Sequence, residues 1–219
     1  MIGQWRLNKR PQTSGARSGM PTIWWQFTDA PALAIVVDAR KRLVSINRAV
    51  VVITVATWQA AVQDMTLACL AHSEPPAGDS FLPAYRVIAG RVQTEVGGFS
   101  TPNAENSRRL LQGVGLDPRP RWTWTQRGGR GLGRITIRPT DVDTKLNQWL
   151  RVRHAIAHGH EPLPSVEVLQ DVRAAGSPLT DPSLRLVDAE QCLAFFKRVV
   201  KASGDALAIH LDTPPTAWT

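Results

Sequence analysis

The chain has 219 residues, of which 26 are Lys or Arg and 18 are Asp or Glu, and its net charge of +8 favours an anionic partner such as RNA, DNA or a membrane surface. A chain of this length can bury about 70 % of its unfolded surface in a single domain, so it does not need disulfide bonds to fold. Cys69 and Cys192 stand in apolar helical patterns, which is typical of buried thiols in a reducing compartment.

The N-terminal segment 1–22 is basic, contains Gly, Ser and Pro, and shows no hydrophobic periodicity, as in a disordered tail. It has no apolar stretch long enough for a secretory signal, and Met20 is an alternative start to Met1. The apolar run at 49–56 is too short to span a bilayer. We therefore expect a cytoplasmic protein without membrane contact. Its predicted parts are a tail at 1–22, one helical domain at 23–212 and a flexible tail at 213–219.

Hydrophobic periodicity predicts a first helix at 30–44 and a second at 48–71, with a joint or a continuation between them. The β-branched run at 50–55 alone would favour a strand, but helical spacing continues through Trp58 and Cys69. Because the second helix is apolar on all sides, we expect it to be central and buried. Further helices are predicted at about 80–95, 102–113, 141–158 and 188–211, with Thr140 or Asp141 and Asp188 as N-caps and 160–187 irregular. The predicted fold class is an all-α bundle.

A basic loop at 118–133 precedes the predicted helix at 141–158, and it mixes arginine, tryptophan and glycine. Single-stranded RNA is held by such mixtures through base stacking and phosphate contacts. The alternative is a flexible surface loop whose tryptophans pack back on the bundle. The segment is not a phosphate-binding P-loop, since the final Gly-Lys-Ser/Thr is missing. The predicted RNA-binding residues are Trp122, Trp124, Arg127, Arg130 and Arg134.

The segment 153–159, Arg-His-Ala-Ile-Ala-His-Gly, ends the helix that follows this loop. On a helical wheel Arg153 falls near the middle of the stripe formed by Val142, Leu146 and Trp149, and a buried arginine needs an anion, a carboxylate or a wet interface. His158 lies on the same last turn. Arginine can hold a phosphate and histidine can transfer a proton, which suffices to cut RNA without a metal. Alternatively, both residues only cap the helix end.

Three histidines in this region allow a second interpretation. His154, His158 and His160 could form a metal site, because a spacing of four residues places two histidines on one helical face. Apart from Glu161, however, no further ligand with suitable spacing lies nearby in the sequence. We therefore expect no metal and no cofactor. His154 is predicted to orient Arg153 and His158 or to contact the phosphate, and His160 to be an exposed loop residue.

The R-x4-H pattern, here Arg153 to His158 with the trailing Ala-His-Gly, resembles the signature of HEPN ribonucleases, in which Asn, Asp or His usually follows the arginine as His154 does here. Three further segments resemble the RiboL-PSP branch of that family, and the resemblance spans about residues 29–212. In that branch a Glu and an aromatic residue usually stand where this chain has Gln59 and Ala61. The three segments are the apolar helix at 48–59 with Trp58, the helix start at 99–106, and the ending around Phe195, Phe196 and Leu211.

The resemblance implies a HEPN-like helical bundle that acts as a homodimer, with two motif helices packed across a two-fold axis. It implies attack of the ribose 2′-OH on the adjacent phosphate, with His158 transferring the proton and Arg153 stabilising the charge. Five positions are about 140° apart around a helix axis, so one helix alone does not aim both side chains at one point.

In biological terms the resemblance implies a toxin-like or phage-defence role, with an antitoxin or a defence-system protein as partner. The alternative is a catalytically silent HEPN-type module that binds RNA or a protein. This alternative stays open because Gln59 and Ala61 stand where the family branch usually has a Glu and an aromatic residue.

Overall fold

A computed structural model describes residues 30–127 and 133–215, with side chains from residue 42 onwards. The predictions for the tail at 1–22 and for Arg130 lie outside the described residues. Within them the chain forms six helices, two strands and a 3-10 turn at Arg119–Arg121. In chain order these are α1 (Ala30–His72), α2 (Leu82–Gly97), α3 (Ala104–Gln112), β1 (Trp124–Arg127), β2 (Arg134–Ile137), α4 (Pro139–Ala157), α5 (Gln170–Ala175) and α6 (Leu186–His210). The predominantly helical class is confirmed; the small antiparallel hairpin β1–β2 was not predicted.

α1 is one continuous helix of 43 residues, so the two helices predicted at 30–44 and 48–71 are halves of a single element. No glycine occurs in this segment and its one proline, Pro31, stands in the first turn, so nothing interrupts the helix between the halves. Burial of its second half is one-sided. Val51, Val55 and Trp58 are at most 1 % exposed, whereas Ile53 is 64 % exposed. The prediction of burial on all sides is therefore wrong for one face of α1.

The core forms where α1 packs against α3, α4 and α6. At its centre the ring of Trp58 lies 6.3 Å from Trp122 and 6.4 Å from Phe196. Both indoles are completely buried, and each N–H finds an acceptor. Trp58 Nε1 donates to the Pro102 carbonyl at 3.2 Å, and Trp122 Nε1 donates to Ser203 Oγ at 2.9 Å. Truncating a buried tryptophan to alanine typically costs about 3–5 kcal/mol, so these side chains fix how the helices pack.

Two helices begin one turn earlier than predicted. In α4 the Asp141 carboxylate accepts a hydrogen bond from the Arg138 N–H at 2.8 Å, and in α6 the Asp188 carboxylate accepts one from the Arg185 N–H at 2.8 Å. Each aspartate is thus the third helical residue and not the N-cap, a position where its charge still favours the helix dipole. The Asp188 carboxylate also accepts a hydrogen bond from the Gln170 N–H at 2.6 Å, and this bond joins α6 to α5. The short helix α5 lies inside the segment 160–187, which was predicted to be irregular.

By length and composition alone, the segment Arg42–His72 of α1 could cross a membrane. The core helix of a soluble protein passes the same test, and α1 does line the core through Val51, Val55 and Trp58. The expectation of a cytoplasmic protein without membrane contact stays a prediction.

Candidate functional site

Arg153 lies at the edge of the buried face of α4, not in its middle as the helical wheel suggested. The buried residues are Val142, Leu146, Trp149, Val152 and Ala155, so the spacing shortens to three residues near the end of the helix. Each step of three turns the buried face by about 60° around the axis. Val152 and Ala155 therefore occupy the core in the last turns, and Arg153 is left half-buried beside them.

The Arg153 side chain carries a buried donor that lacks a partner. Its Nε is shielded from solvent and makes no hydrogen bond to any residue that the structure describes. A buried donor left without an acceptor costs about 1–3 kcal/mol, and more when the group is charged. An anion that bound to the guanidinium would recover this energy, because arginine offers a planar fork of donors that fits phosphate oxygens.

The end of α4 folds back on itself and gathers three histidines. The Gly159 N–H donates to the Ile156 carbonyl at 3.1 Å, and the His160 N–H donates to the Ala155 carbonyl at 2.8 Å. This pair of bonds is the Schellman motif, which needs a residue of positive φ after the helix, and Gly159 has φ 65°. The chain reversal brings His160 back beside the last turn of α4.

The resulting cluster consists of His154, His158 and His160. The ring centroids of His154 and His158 are 4.2 Å apart, those of His158 and His160 are 5.7 Å apart, and those of His154 and His160 are 6.4 Å apart. All three side chains are exposed, as was predicted for His160. The sequence groups these three histidines only as a possible metal site and otherwise predicts His160 to be a separate loop residue, although Gly159 signals the chain reversal that brings it beside α4. Among the described residues, no group of three or more His, Cys, Asp or Glu is arranged to hold a metal ion.

An open cleft of about 440 Å³ adjoins this cluster. Arg153, His154 and His160 line it, whereas His158 does not. The opposite wall comes from the loop before α3, with Ser100 and Thr101. The remaining lining residues are Leu150, Arg151, Ala155, Pro162 and Pro164. The Arg153 side chain therefore borders the cleft directly, and the His158 ring adjoins it only through His154.

An ion pair holds the chain that leaves the cluster. Arg48 of α1 donates to Glu161 Oε1 at 2.7 Å, and Glu161 is exposed, so the pair contributes at most about 1 kcal/mol. It nevertheless ties the loop after α4 to the central helix. Glu161, the one neighbour that could have served as a further metal ligand, is engaged in this way.

The two residues that depart from the RiboL-PSP pattern have structural contacts. Gln59 Nε2 donates to the Phe99 carbonyl at 2.8 Å, and Gln63, one turn later, donates to the Val96 carbonyl at 2.8 Å. Ala61 packs against the core. The polar side chains on this face of α1 therefore hold the end of α2 and the chain that follows it.

The predicted RNA-binding loop contains β1, and β2 follows directly after it and pairs with β1. Arg127 and Arg134 are paired across this hairpin, and both are exposed on the face that points away from α6. Like charges directly opposite each other destabilise a strand pair, and a bound anion would relieve the repulsion. Arg130 lies in the segment 128–132, outside the described residues.

The two tryptophans of this region differ in burial, and Trp122 does not have the predicted role. Trp122 is completely buried against Trp58, so no face of its indole is accessible to a base. Trp124 is half-buried, lies 6.3 Å from the ring of Phe195 and donates to Gln126 Oε1 at 3.2 Å. The assignment of Trp122 to RNA stacking is corrected, because this side chain packs back on the bundle as in the alternative interpretation. The assignment of Trp124 stays a prediction.

The hairpin and the histidine cluster lie at opposite ends of α4. The helix runs from Pro139, directly after β2, to Ala157. At 1.5 Å per residue these ends are about 27 Å apart. The two predicted groups of functional residues are therefore not brought together within one chain.

Comparisons with models of known protein families, with curated proteins and with solved structures find no match for this chain. The HEPN resemblance thus stays a prediction from the motif.

Proposed function

We propose that this chain is a metal-independent endoribonuclease of the HEPN type. The observation that supports the proposal most is the position of Arg153. Its side chain is half-buried and lines an open cleft beside His154 and His160, and its Nε has no hydrogen-bond partner among the described residues. A pre-positioned guanidinium with an unused donor next to imidazoles is suited to a phosphodiester and not to an apolar ligand.

The reaction would proceed by transfer within the RNA. A histidine, His158, removes the proton from a ribose 2′-OH, and the 2′-oxygen attacks the adjacent phosphorus. The bond from phosphorus to the 5′-oxygen breaks, that oxygen takes a proton from solvent water, and the protonated His158 returns its proton to solvent. Arg153 stabilises the additional negative charge on the phosphate in the transition state, and His154 orients the reacting groups. The products are a 2′,3′-cyclic phosphate and a 5′-OH end.

A homodimer would complete this site. His158 lies outside the cleft that Arg153 lines, although its ring is only 4.2 Å from that of His154. Two α4 helices packed across a two-fold axis would place His158 of the partner subunit near Arg153. If the two α4 helices do not pair, the separation of His158 from the cleft instead favours the second candidate function, a catalytically silent module that binds RNA or a protein.

Incubation of the purified chain with end-labelled RNA in EDTA tests the proposal. We expect cleavage, with cyclic-phosphate and 5′-OH ends, and no cleavage where a single 2′-deoxynucleotide replaces the attacking ribose. Tight binding without cleavage would support the silent module. A requirement for Mg²⁺ together with 5′-phosphate ends would contradict the proposal, because that pattern indicates a metal-activated water.

The biological setting is proposed from the motif resemblance alone. A toxin-like or phage-defence role, in the cytoplasm, would require a second protein that restrains or triggers RNA cleavage.

We further expect the hairpin to contribute to RNA affinity. In the double variant Arg127→Ala and Arg134→Ala, the slope of log K against log salt should become flatter by about 1.4, since each lost phosphate contact on a single strand contributes about 0.7. Cleavage at saturating RNA should be unchanged, because the hairpin lies at the other end of α4. Salt titrations of binding by fluorescence anisotropy measure the effect.

The matched control removes two exposed arginines elsewhere, Arg86→Ala and Arg91→Ala on α2. It changes the net charge equally and should leave the salt slope nearly unchanged. An equal effect of both double variants would show that only net charge matters. Loss of saturating activity with unchanged affinity would place the hairpin in the catalytic site.

A further inference from the structure

α1 presents a long uncharged face to solvent on the side away from the core. No charged residue occurs between Arg48 and Asp64. Within this stretch the exposed side includes Ile53, which is 64 % exposed, and Ile46, just before it, is 58 % exposed. Soluble proteins rarely leave a contiguous apolar strip of this kind uncovered unless something binds there. Other exposed residues on this side are Ala49, Ala56, Thr57 and Ala60.

The spacing of this face is that of a helix–helix seam. Ile46, Ala49, Ile53, Ala56 and Ala60 follow one another at alternating steps of three and four residues, and all lie within about 60° of Ile53 around the helix axis. Apolar residues at this period are typical of paired helices. Large and small side chains also alternate, so a second helix could approach closely at the alanines.

The face is complementary to itself in the antiparallel direction. Arg42 and Asp64 flank it, each eleven residues from Ile53 and each within about 20° of the same line along the helix. In an antiparallel pair centred on Ile53, Arg42 would lie opposite Asp64 of the partner subunit, and Ile46 opposite Ala60 of the partner subunit. A parallel pair would instead place like charges and like-sized side chains together. Both charge and size therefore favour the antiparallel arrangement.

We propose that this face of α1, residues 42–64, binds a second copy of the chain in an antiparallel, two-fold symmetric pair with Ile53 on the axis. The inference does not rest on the proposed ribonuclease function. Arg48, whose guanidinium holds the loop after α4, lies about 140° around the axis from Ile53, so the end of α4 is on a different side of α1.

The area of this face sets the expected affinity between the two copies. The segment 42–64 is about 33 Å long and a helix is about 10 Å wide, so the pair would bury roughly 660 Å² in total. Stable interfaces bury at least about 1,200 Å². We therefore expect a weak pair with a Kd in the micromolar range or above. Combined with a second two-fold axis at α4, it would produce assemblies larger than a dimer.

Cysteine cross-linking in the full chain tests both the pairing and its direction. Ile53→Cys should form a disulfide-linked dimer under mild oxidation, because the two copies of that residue meet at the axis. A mixture of Ile46→Cys with Ala60→Cys should also cross-link. Ile46→Cys alone should not, since its two copies are about 21 Å apart in the antiparallel pair and a disulfide needs Cα atoms within about 7 Å.

The native thiols should not interfere with this test. Cys69 and Cys192 are buried, and burial raises the pKa of Cys69 to about 11 and raises the pKa of Cys192 as well. Little thiolate is therefore present at neutral pH. The control is Val87→Cys on α2, an apolar position that is 76 % exposed but lies outside the face.

The outcomes separate the alternatives. Cross-linking of Ile53→Cys no faster than that of Val87→Cys would overturn the pairing, and efficient cross-linking of Ile46→Cys alone would overturn its direction. Flotation of the wild-type chain with uncharged phosphatidylcholine vesicles, without cross-linking of Ile53→Cys, would identify a bilayer as the occupant. Ile53→Glu gives an independent check, with a Kd for self-association more than about tenfold higher because two carboxylates would meet at the axis.

Discussion

Replacement of His158 with alanine is expected to lower the rate of RNA cleavage by about 100- to 10,000-fold, the usual cost of losing a proton-transfer group. Arg153→Ala should have a comparable effect, because it removes the cation that stabilises the transition state. His154→Ala should have a smaller one. Cleavage rates measured at saturating RNA in EDTA separate the loss of chemistry from a loss of binding.

The structure provides control variants that separate loss of activity from loss of folding, and an active-site histidine from a histidine elsewhere. His158 is exposed, and its N–H bond to the His154 carbonyl at 3.0 Å involves only the backbone, so the variant should keep its helix content. Arg153→Ala removes a buried unsatisfied donor and should leave the Tm unchanged or slightly higher. His72→Ala, also exposed in the last turn of a helix, should cut normally. Wild-type activity in a folded His158→Ala chain would refute the assignment.

Two inactive variants are expected to restore each other. If Arg153 acts together with His158 of the partner subunit, a heterodimer of Arg153→Ala with His158→Ala contains one site with both groups intact and one site with neither. Random exchange of equal amounts makes half of the dimers mixed, so the mixture should reach about a quarter of the wild-type activity. Each variant alone should remain near background. Cleavage rates recorded before and after subunit exchange measure this complementation.

The control for this experiment is a chain that carries both substitutions. Mixed with His158→Ala, it can supply no His158 and should restore nothing. A site formed within one chain predicts no recovery in either mixture. Cleavage by a species that sediments as a 24.0 kDa monomer would lead to the same conclusion, and the composite site would then be wrong.

The helices could be predicted because their signals are local. Apolar spacing marks a helix in the sequence itself, as it did for the stretch around Trp58. The continuity of α1 was left open, since Ser45 to Asn47 neither favour nor break a helix strongly. The end of α4 at Gly159 was also predictable from the preference of glycine for positive φ.

The predictions for Trp122 and Arg153 were wrong because they depend on contacts between residues that are far apart in the chain. Trp122 belongs to a segment that is polar in sequence, and its burial depends on packing against Trp58 and on a hydrogen bond to Ser203 of α6. The position of Arg153 was misjudged because a helical wheel assumes that the buried face keeps one direction along the helix. In α4 that face turns toward Val152 and Ala155, where other elements supply the core. Neither effect is visible in a local window of sequence.

The packing of Trp58 against Phe196, and of Trp122 against Ser203, means that the core closes only when α6 docks on α1. During translation α1 leaves the ribosome before the other helices, and the part of its apolar face that packs on α6 has no partner until α6 has been synthesised. Nascent chains with such exposed segments depend on chaperones. The histidine cluster at the end of α4 also precedes α6 in the chain. The core around Trp58 and Trp122 is therefore completed last, after every residue of that cluster has been synthesised.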